Sequence, residues 1–348
     1  MIRVLVVDDS ATARQMLIDT INADPSMEVV GIAADGAEAV LRARELRPDI
    51  VTMDINMPVH NGYEATRQIM RDAPSPILIV SAAASAEDSA ASMIALRAGA
   101  LGIAAKPSGA ADAASVEGRR HLLVQIRALS DVKVVGRATP AEYSALPVRT
   151  HRAPRSTEGA SIVGIAASTG GPAALAAIVA GLPVDLSVPL VVVQHNTHGF
   201  MPALAKWLNE CGNVRVVLAT HGGELRPGVM YIGPDHRHIG VTAGGVCMLS
   251  DGPPIAGFRP SATFLFRSLG EAYGPRALSV ILTGMGSDGV EGLAAAHAAG
   301  GIVVAQDEKS SVVWGMPGAA VNAGVVDHVV ELDGIAAAIA KAVTVSRR

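Results

Sequence analysis

Asp8, Asp9 and Asp54 each stand directly after a short apolar run, Ile2–Val7 for the first two and Ile50–Met53 for the third. In an open parallel sheet, ligands bind at the carboxyl edge where neighbouring strands diverge. Three carboxylates delivered to that edge form a hard oxygen site suited to a divalent cation, Mg2+ above others. Ser81 follows the apolar run Ile77–Val80, and Lys106 follows Leu101–Ala105, which brings a hydroxyl and an ammonium to the same edge. This set suits an acyl phosphate on Asp54. The cation would neutralise the transferring phosphoryl group, and Lys106 and Ser81 would bind its oxygens. Taken singly, an Asp-Asp pair after a strand reads as a helix N-cap and a Lys-Pro as a turn. The ordered set is the specific signal.

A second constellation lies further along. Ile162–Ala166 runs into Ser168-Thr169-Gly170-Gly171-Pro172, where the glycines permit a sharp turn and the proline suits a first helical position. Ser168 is thereby lifted to the carboxyl edge, near a helix N-terminus that favours developing negative charge. A serine hydroxyl needs a base to act as a nucleophile. His195 ends the strong run LVVVQH, and Asp288 lies in the glycine-rich TGMGSDG loop after Ile281–Leu282, placed to orient an imidazole. His198, His236 and His238 compete for the base, and Asp235 with His236 and His238 could begin a metal site, although no third strong ligand is evident. The turn lacks the Gly-Lys-Ser/Thr of a P-loop and the glycine spacing of the dinucleotide fingerprint.

These residues need sheets to carry them. Strand patterns at Ile2–Val7, Val29–Ala33, Ile50–Met53, Ile77–Val80 and Leu101–Ala105 alternate with helical patterns at Ala11–Asn22, Ala37–Leu46, Tyr63–Arg71, Ser85–Arg97 and Leu122–Leu129. After a Pro- and Arg-containing aperiodic stretch, strands are expected at Ile162–Ala166, Leu190–Val193, Val214–Leu218, Val229–Ile232, Ser279–Leu282, Ile302–Ala305 and Val325–Val330. Helices fit Ala173–Ala180, Pro202–Asn209, Ala262–Glu271 and Gly289–Ala299. Alternation with crossovers of this length implies parallel sheets covered on both faces. The expected organisation is an α/β domain over 1–125, a linker over 126–159 and a mostly parallel, doubly wound α/β domain over 160–348.

Composition narrows the class. Lys and Arg number 28 against 32 Asp and Glu, which gives no basic surplus for nucleic acid. The linker arginines Arg149, Arg152 and Arg155 read as a solvated stretch. No apolar run approaches the roughly 18 residues of a membrane span. Asp8 and Asp9 interrupt the N-terminal apolar run before a signal segment can form. Two cysteines, Cys211 and Cys247, read as free thiols. A cytoplasmic protein with no membrane insertion is expected, and a monomer.

The motifs VLVVDDSATAR, MDINMP and KP occur in the order that resembles a two-component receiver domain, over roughly residues 1–125. The resemblance implies a flavodoxin-like (βα)5 fold, Asp54 as phosphoacceptor, Asp8, Asp9 and Asp54 as Mg2+ acids, and Ser81 and Lys106 as switch residues. His60-Asn61-Gly62 stands where the family often has Met-Asp-Gly, and Ile103 where it often has an aromatic residue. GIAASTGGP, QH followed by GF, RPSATFLFRS, LTGMGSDG and AQDEKSSVVWGMPGAAV resemble the catalytic domain of the chemotaxis protein-glutamate methylesterases, the CheB family. That likeness implies Ser168 as nucleophile, His195 as base and Asp288 as its orienting acid, with Thr169 beside the histidine and the Met285 amide near the oxyanion. It further implies methylated chemoreceptors as substrate, deamidation of receptor glutamines, a histidine kinase as phosphodonor, no cofactor for the hydrolysis, and a role in sensory adaptation. The unphosphorylated receiver is expected to cover the hydrolase mouth. Asn196-Thr197 departs from the family's Met-Pro beside the site. Two other readings stay open: a non-catalytic interaction module, for which Ser168→Ala would be silent, and a DNA-binding regulator, which salt-sensitive DNA binding would reveal.

Overall fold

The structure is a computed structural model describing residues 1–58, 60–81, 86–107, 113–132, 134, 159–196 and 199–344. It falls into two compact units, with the division inside the interval 135–158, outside the described residues. The linker reading and its arginines lie there, as do His198 and Thr197 in their own gap.

The amino-terminal unit runs β1 (Ile2–Val7), α1 (Ala11–Asn22), β2 (Met27–Ala33), α2 (Gly36–Leu46), β3 (Ile50–Met53), α3 (Gly62–Asp72), β4 (Ile77–Ser81), α4 (Ala86–Ala98), β5 (Gly102–Ala105) and α5 (Ala113–Ser130). Its sheet is parallel throughout in the order β2-β1-β3-β4-β5. β3 and β4 are buried at every position, as continuous apolar runs covered on both faces should be. Helix starts follow their side chains. Ser10 Oγ accepts from the Ala13 amide, Asp35 from Ala37 and Glu38, and Asn61 from Glu64, each satisfying orphan donors of a first turn. α5 extends to Ser130, so residues 126–130, counted with the linker from sequence, are helical.

The carboxy-terminal unit holds β6 (Ile162–Ala167), α6 (Gly171–Gly181), β7 (Leu190–Gln194), α7 (Met201–Cys211), β8 (Arg215–Leu218), β9 (Val229–Ile232), β10 (His238–Val241), β11 (Cys247–Ser250), α8 (Ala262–Tyr273), β12 (Ala277–Ile281), α9 (Val290–Ala298), β13 (Ile302–Gln306), α10 (Met316–Asn322), β14 (His328–Val330) and α11 (Leu332–Thr344). Seven strands form a parallel sheet in the order β14-β13-β12-β6-β7-β9-β8. β10 and β11 form a separate antiparallel hairpin. The core joins Ile162, Val191 and Ile281 of the sheet to Leu265, Phe266 and Leu269 of α8.

Several elements differ from the sequence expectation. The β10–β11 hairpin, α10 and α11 were not anticipated, and the last strand is confined to His328–Val330. Val325 and Val326 pack against the core instead, and Asp327 accepts from the Val303 amide with its carboxylate, which leaves three residues to pair with β13. Both cysteines are free. Among the described residues, no helix is long and apolar enough to cross a membrane.

One core position invites a stability test. Ser279 is 1% exposed in the middle of β12, and its hydroxyl has no hydrogen-bond partner among the described residues. A buried unsatisfied hydroxyl costs about 1–3 kcal/mol in desolvation. Ser279→Ala is therefore expected to raise the urea midpoint, by roughly 1 kcal/mol of stability. A lowered midpoint would contradict this.

Candidate functional site

In the amino-terminal unit the sheet order reverses between β1 and β3, the switch point at which open α/β sheets bind ligands. Asp8 follows β1 and Asp54 follows β3. The Asp54 amide donates to the Val7 carbonyl at 2.9 Å, which ties the two loops together. One ligand oxygen from each of Asp8, Asp9 and Asp54 can gather within 4.8 Å. Lys106, at the end of β5, lies 2.7 Å from Asp8 and 2.8 Å from Asp54. Ser81, the last residue of β4, is buried at the same edge. Burial raises the Asp54 pKa above the usual carboxylate range, the hydrogen bond and charge of Lys106 oppose this, and the charge of Asp8 adds to it. Ionising Asp54 therefore costs folding stability, a cost incurred as pH rises through that raised value. Burial alone would depress the Lys106 pKa, but its bonds to Asp54 and Asp8 outweigh burial and raise it.

Two supports of this pocket escaped sequence reasoning. The Arg14 guanidinium donates to the carbonyls of Asp8 and Asp9 at 2.6 and 2.9 Å, clamping the acidic turn. A Cβ on Gly62 would lie 2.0 Å from the Asp54 carbonyl oxygen, so only glycine lets α3 begin this close to the loop. The oxygen-only donor set fits a hard divalent cation.

In the carboxy-terminal unit, β6 lies between β12 and β7. Ser168 leaves the end of β6, His195 the end of β7, and Asp288 the loop after β12, so three neighbouring strands bring them to one edge. Gly170 adopts φ +78° at the serine turn, a conformation that strongly favours glycine. Pro172 follows in the first turn of α6. The Ser168 amide donates to the Thr283 carbonyl, and Gln194 Nε2 donates to the carbonyls of Ser168 and His195, both at 2.8 Å. A Cβ on Gly284 would meet the Ser168 Cβ at 2.7 Å. Thr169 is buried, its carbonyl accepting from the Thr283 hydroxyl. Met285 is part-buried in the turn that follows Gly284.

His195 Nε2 lies 3.0 Å from Asp288 Oδ2, with the side chains 7% and 0% exposed. Both ring nitrogens are buried, and neither meets hydrogen-bond geometry with a partner among the described residues, but Nε2 is the one that faces the carboxylate; a proton held there leaves Nδ1 as the basic nitrogen. The Phe258 ring stacks on the imidazole at 4.2 Å between centroids. Asp288 accepts from the Ser261 hydroxyl at 2.8 Å and from the Ala262 and Thr263 amides at 2.7 and 3.2 Å, at the N-terminus of α8. Burial pushes the Asp288 pKa up, but the His195 hydrogen bond and charge, with Ser261 and Ala262, overcome it and hold the group at about 2.

The competing histidine reading is corrected for His238. Its Nδ1 accepts from the Ser261 amide at 3.2 Å and its Nε2 meets the Pro253 carbonyl at 3.0 Å, so both nitrogens are committed to backbone. It therefore cannot join Asp235 and His236 as a metal ligand without losing these bonds. Phe258, Ser261, Gln194, Thr283 and Gln306 carry no signal of their site roles. They sit in motifs noted from sequence, or beside them, but their partners come from other strands. Thr283 shows this well, its amide donating to Gln306 Oε1 and its hydroxyl accepting from the Val313 amide.

Comparisons with known proteins agree with this layout. Residues 163–339 match the CheB methylesterase family, and residues 4–115 match the response regulator receiver domain. The chain is 47% identical over 342 residues to protein-glutamate methylesterase/protein-glutamine glutaminase 4 of Myxococcus xanthus, covering 98% of this chain and 97% of that one. It is 48% identical over 337 residues to protein-glutamate methylesterase/protein-glutamine glutaminase 3 of Anaeromyxobacter dehalogenans, covering 97% of each. The crystal structure of the Thermotoga maritima CheB methylesterase catalytic domain superposes with a TM-score of 0.51 at 36% identity, covering 52% of this chain and 98% of that one. The chain belongs to the CheB methylesterase family, with a receiver domain joined ahead of its catalytic domain.

Proposed function

We propose that the chain hydrolyses glutamate γ-methyl esters on chemoreceptor cytoplasmic helices, and deamidates particular receptor glutamines, under control of phosphorylation at Asp54. The observation that carries this is the buried His195–Asp288 contact of 3.0 Å at the edge where the Ser168 turn emerges. Ser168 Oγ attacks the ester carbonyl and passes its proton to His195 Nδ1. Asp288 stabilises the imidazolium through Nε2–H. Backbone amides, Met285 among them, hold the tetrahedral oxyanion, and Thr169 keeps the turn beside the histidine in place. The imidazolium returns the proton as methanol leaves. Water, deprotonated by His195, then releases the glutamyl group from Ser168. For a glutamine substrate ammonia leaves in place of methanol.

In the receiver, a histidine kinase supplies the phosphoryl group and the Asp54 carboxylate attacks its phosphorus. Asp8, Asp9 and Asp54 would hold Mg2+, which when bound neutralises phosphoryl charge during transfer. Lys106 and Ser81 bind the phosphoryl oxygens of the product. Phosphorylation shifts the population towards the active enzyme, which in this reading is a cytoplasmic monomer serving adaptation.

The test is methanol release from methylated receptor membranes with and without acetyl phosphate. Wild type is expected to be stimulated. Asp54→Ala is expected to keep a low activity that phosphodonor does not change. Full stimulation of that variant would remove Asp54 from the scheme. No release from any methylated receptor by the phosphorylated wild type would remove the substrate.

A further inference from the structure

We propose that Phe258 is a positioning residue for His195, fixing the plane of the imidazole so that Nε2 stays on Asp288 while Nδ1 is presented as the base. This rests on the reading of His195 as the general base. The contact to Asp288 sets where one nitrogen lies, but the freedom of the ring to rotate about the axis through it is limited only by what packs on its faces. A flat group on the imidazole face removes that freedom. Phe258 provides one: the rings are 4.2 Å apart between centroids and 12° from parallel.

The phenyl ring is itself held by a built loop. Ile255 and Phe258 exchange backbone hydrogen bonds of 3.1 and 2.9 Å across a tight turn whose central residues, Ala256 and Gly257, have φ of 49° and 86°. Two positive φ values make the narrow primed turn that hairpins favour. The start of the loop is pinned by His238 to the Pro253 carbonyl at 3.0 Å and by Arg259 to the Asp251 and Gly252 carbonyls at 3.2 and 3.1 Å. Arg237 forks onto the Asp251 carboxylate at 2.8 and 2.9 Å. Three residues beyond Phe258, Ser261 donates to Asp288. One short segment, 258–263, thus holds the imidazole face through Phe258 and its edge through Asp288. Phe258 is only part-buried, so filling the core does not account for its placement.

The test compares Phe258→Leu, which keeps apolar bulk, with Phe258→Tyr, which keeps the ring, in the whole chain with acetyl phosphate present and Ser168→Ala alongside. In Phe258→Leu, kcat for methanol release is expected to fall about tenfold with KM nearly unchanged, since displacing a reacting group by a fraction of an ångström is felt in the chemical step. Phe258→Tyr should recover most of that loss. In the histidine-labelled chain, the His195 ring resonances, assigned with His195→Gln, should lose their ring-current displacement in Phe258→Leu and keep it in Phe258→Tyr. Wild-type kcat in Phe258→Leu, unmoved resonances, or equal impairment of both variants would overturn the inference. Activity remaining in Ser168→Ala would instead overturn the serine mechanism beneath it, so the two failures read differently.

Discussion

Ser168→Ala is expected to abolish methanol release, with kcat lower by on the order of 10^4 to 10^6, while Asp54 still takes up phosphate from acetyl phosphate. The size of the loss follows from the division of labour at the site. His195 and Asp288 can move a proton, but without the hydroxyl there is no covalent intermediate, and only binding and oxyanion stabilisation remain. The variant is also structurally conservative. The turn is held by backbone bonds to Thr283 and Gln194 and by the left-handed Gly170, none of which uses the serine hydroxyl. A folded variant with normal receiver phosphorylation and no release is the expected pattern. Release at the wild-type rate would remove Ser168 as the nucleophile and require another group to attack the ester.

Asp288→Asn is expected to lower kcat by roughly 10^3 to 10^4, because an amide can neither fix the imidazole tautomer nor stabilise its charged form. This substitution also reaches the fold. The carboxylate receives the first amides of α8, where a negative charge is favoured. Its pKa is lowered from 3.8 to about 2, worth on the order of 2 kcal/mol by linkage. The sign is that of a depressed carboxylate: the stabilisation is fully present above the unfolded value and lost as pH falls from about 4 to about 2. Urea midpoints should therefore separate wild type from Asp288→Asn at pH 7 and converge towards pH 2. A constant gap across that range would assign the stability loss to packing rather than charge.

How much was legible beforehand depended on whether a feature is local. LVVVQH and the DD pair after VLVV announce strands and edge residues within a few positions, since a buried parallel strand is a continuous apolar run. Gly170, Gly171 and Pro172 likewise encode their own turn. The β10–β11 hairpin was hidden because its strands are short, one containing Gly240 and the other opening on Cys247. The Ala-rich helix Leu332–Thr344 was not separated from the strand pattern before it. His238 and His195 are indistinguishable by composition. What separates them is whether the ring nitrogens meet backbone, as at His238, or a carboxylate, as at His195. The capping of α8 by Asp288 was equally invisible, because it depends on two segments that meet only in the fold.

The parallel register of β12 against β6, pairing Leu278 with Val163, has a consequence for synthesis. The serine turn leaves the ribosome long before β12 exists, and the orienting acid follows β12 by several residues more. The nascent chain therefore carries the nucleophile and, soon after, the base without the orienting acid for a stretch on the order of a hundred residues of elongation. At about 5–20 residues per second this lasts several seconds. Hydrolytic competence is withheld until β12 inserts between β13 and β6, a contact of high sequence separation that forms late and slowly. Recovery of esterase activity on refolding would accordingly lag behind the recovery of helical signal, and so time the closing of the sheet itself.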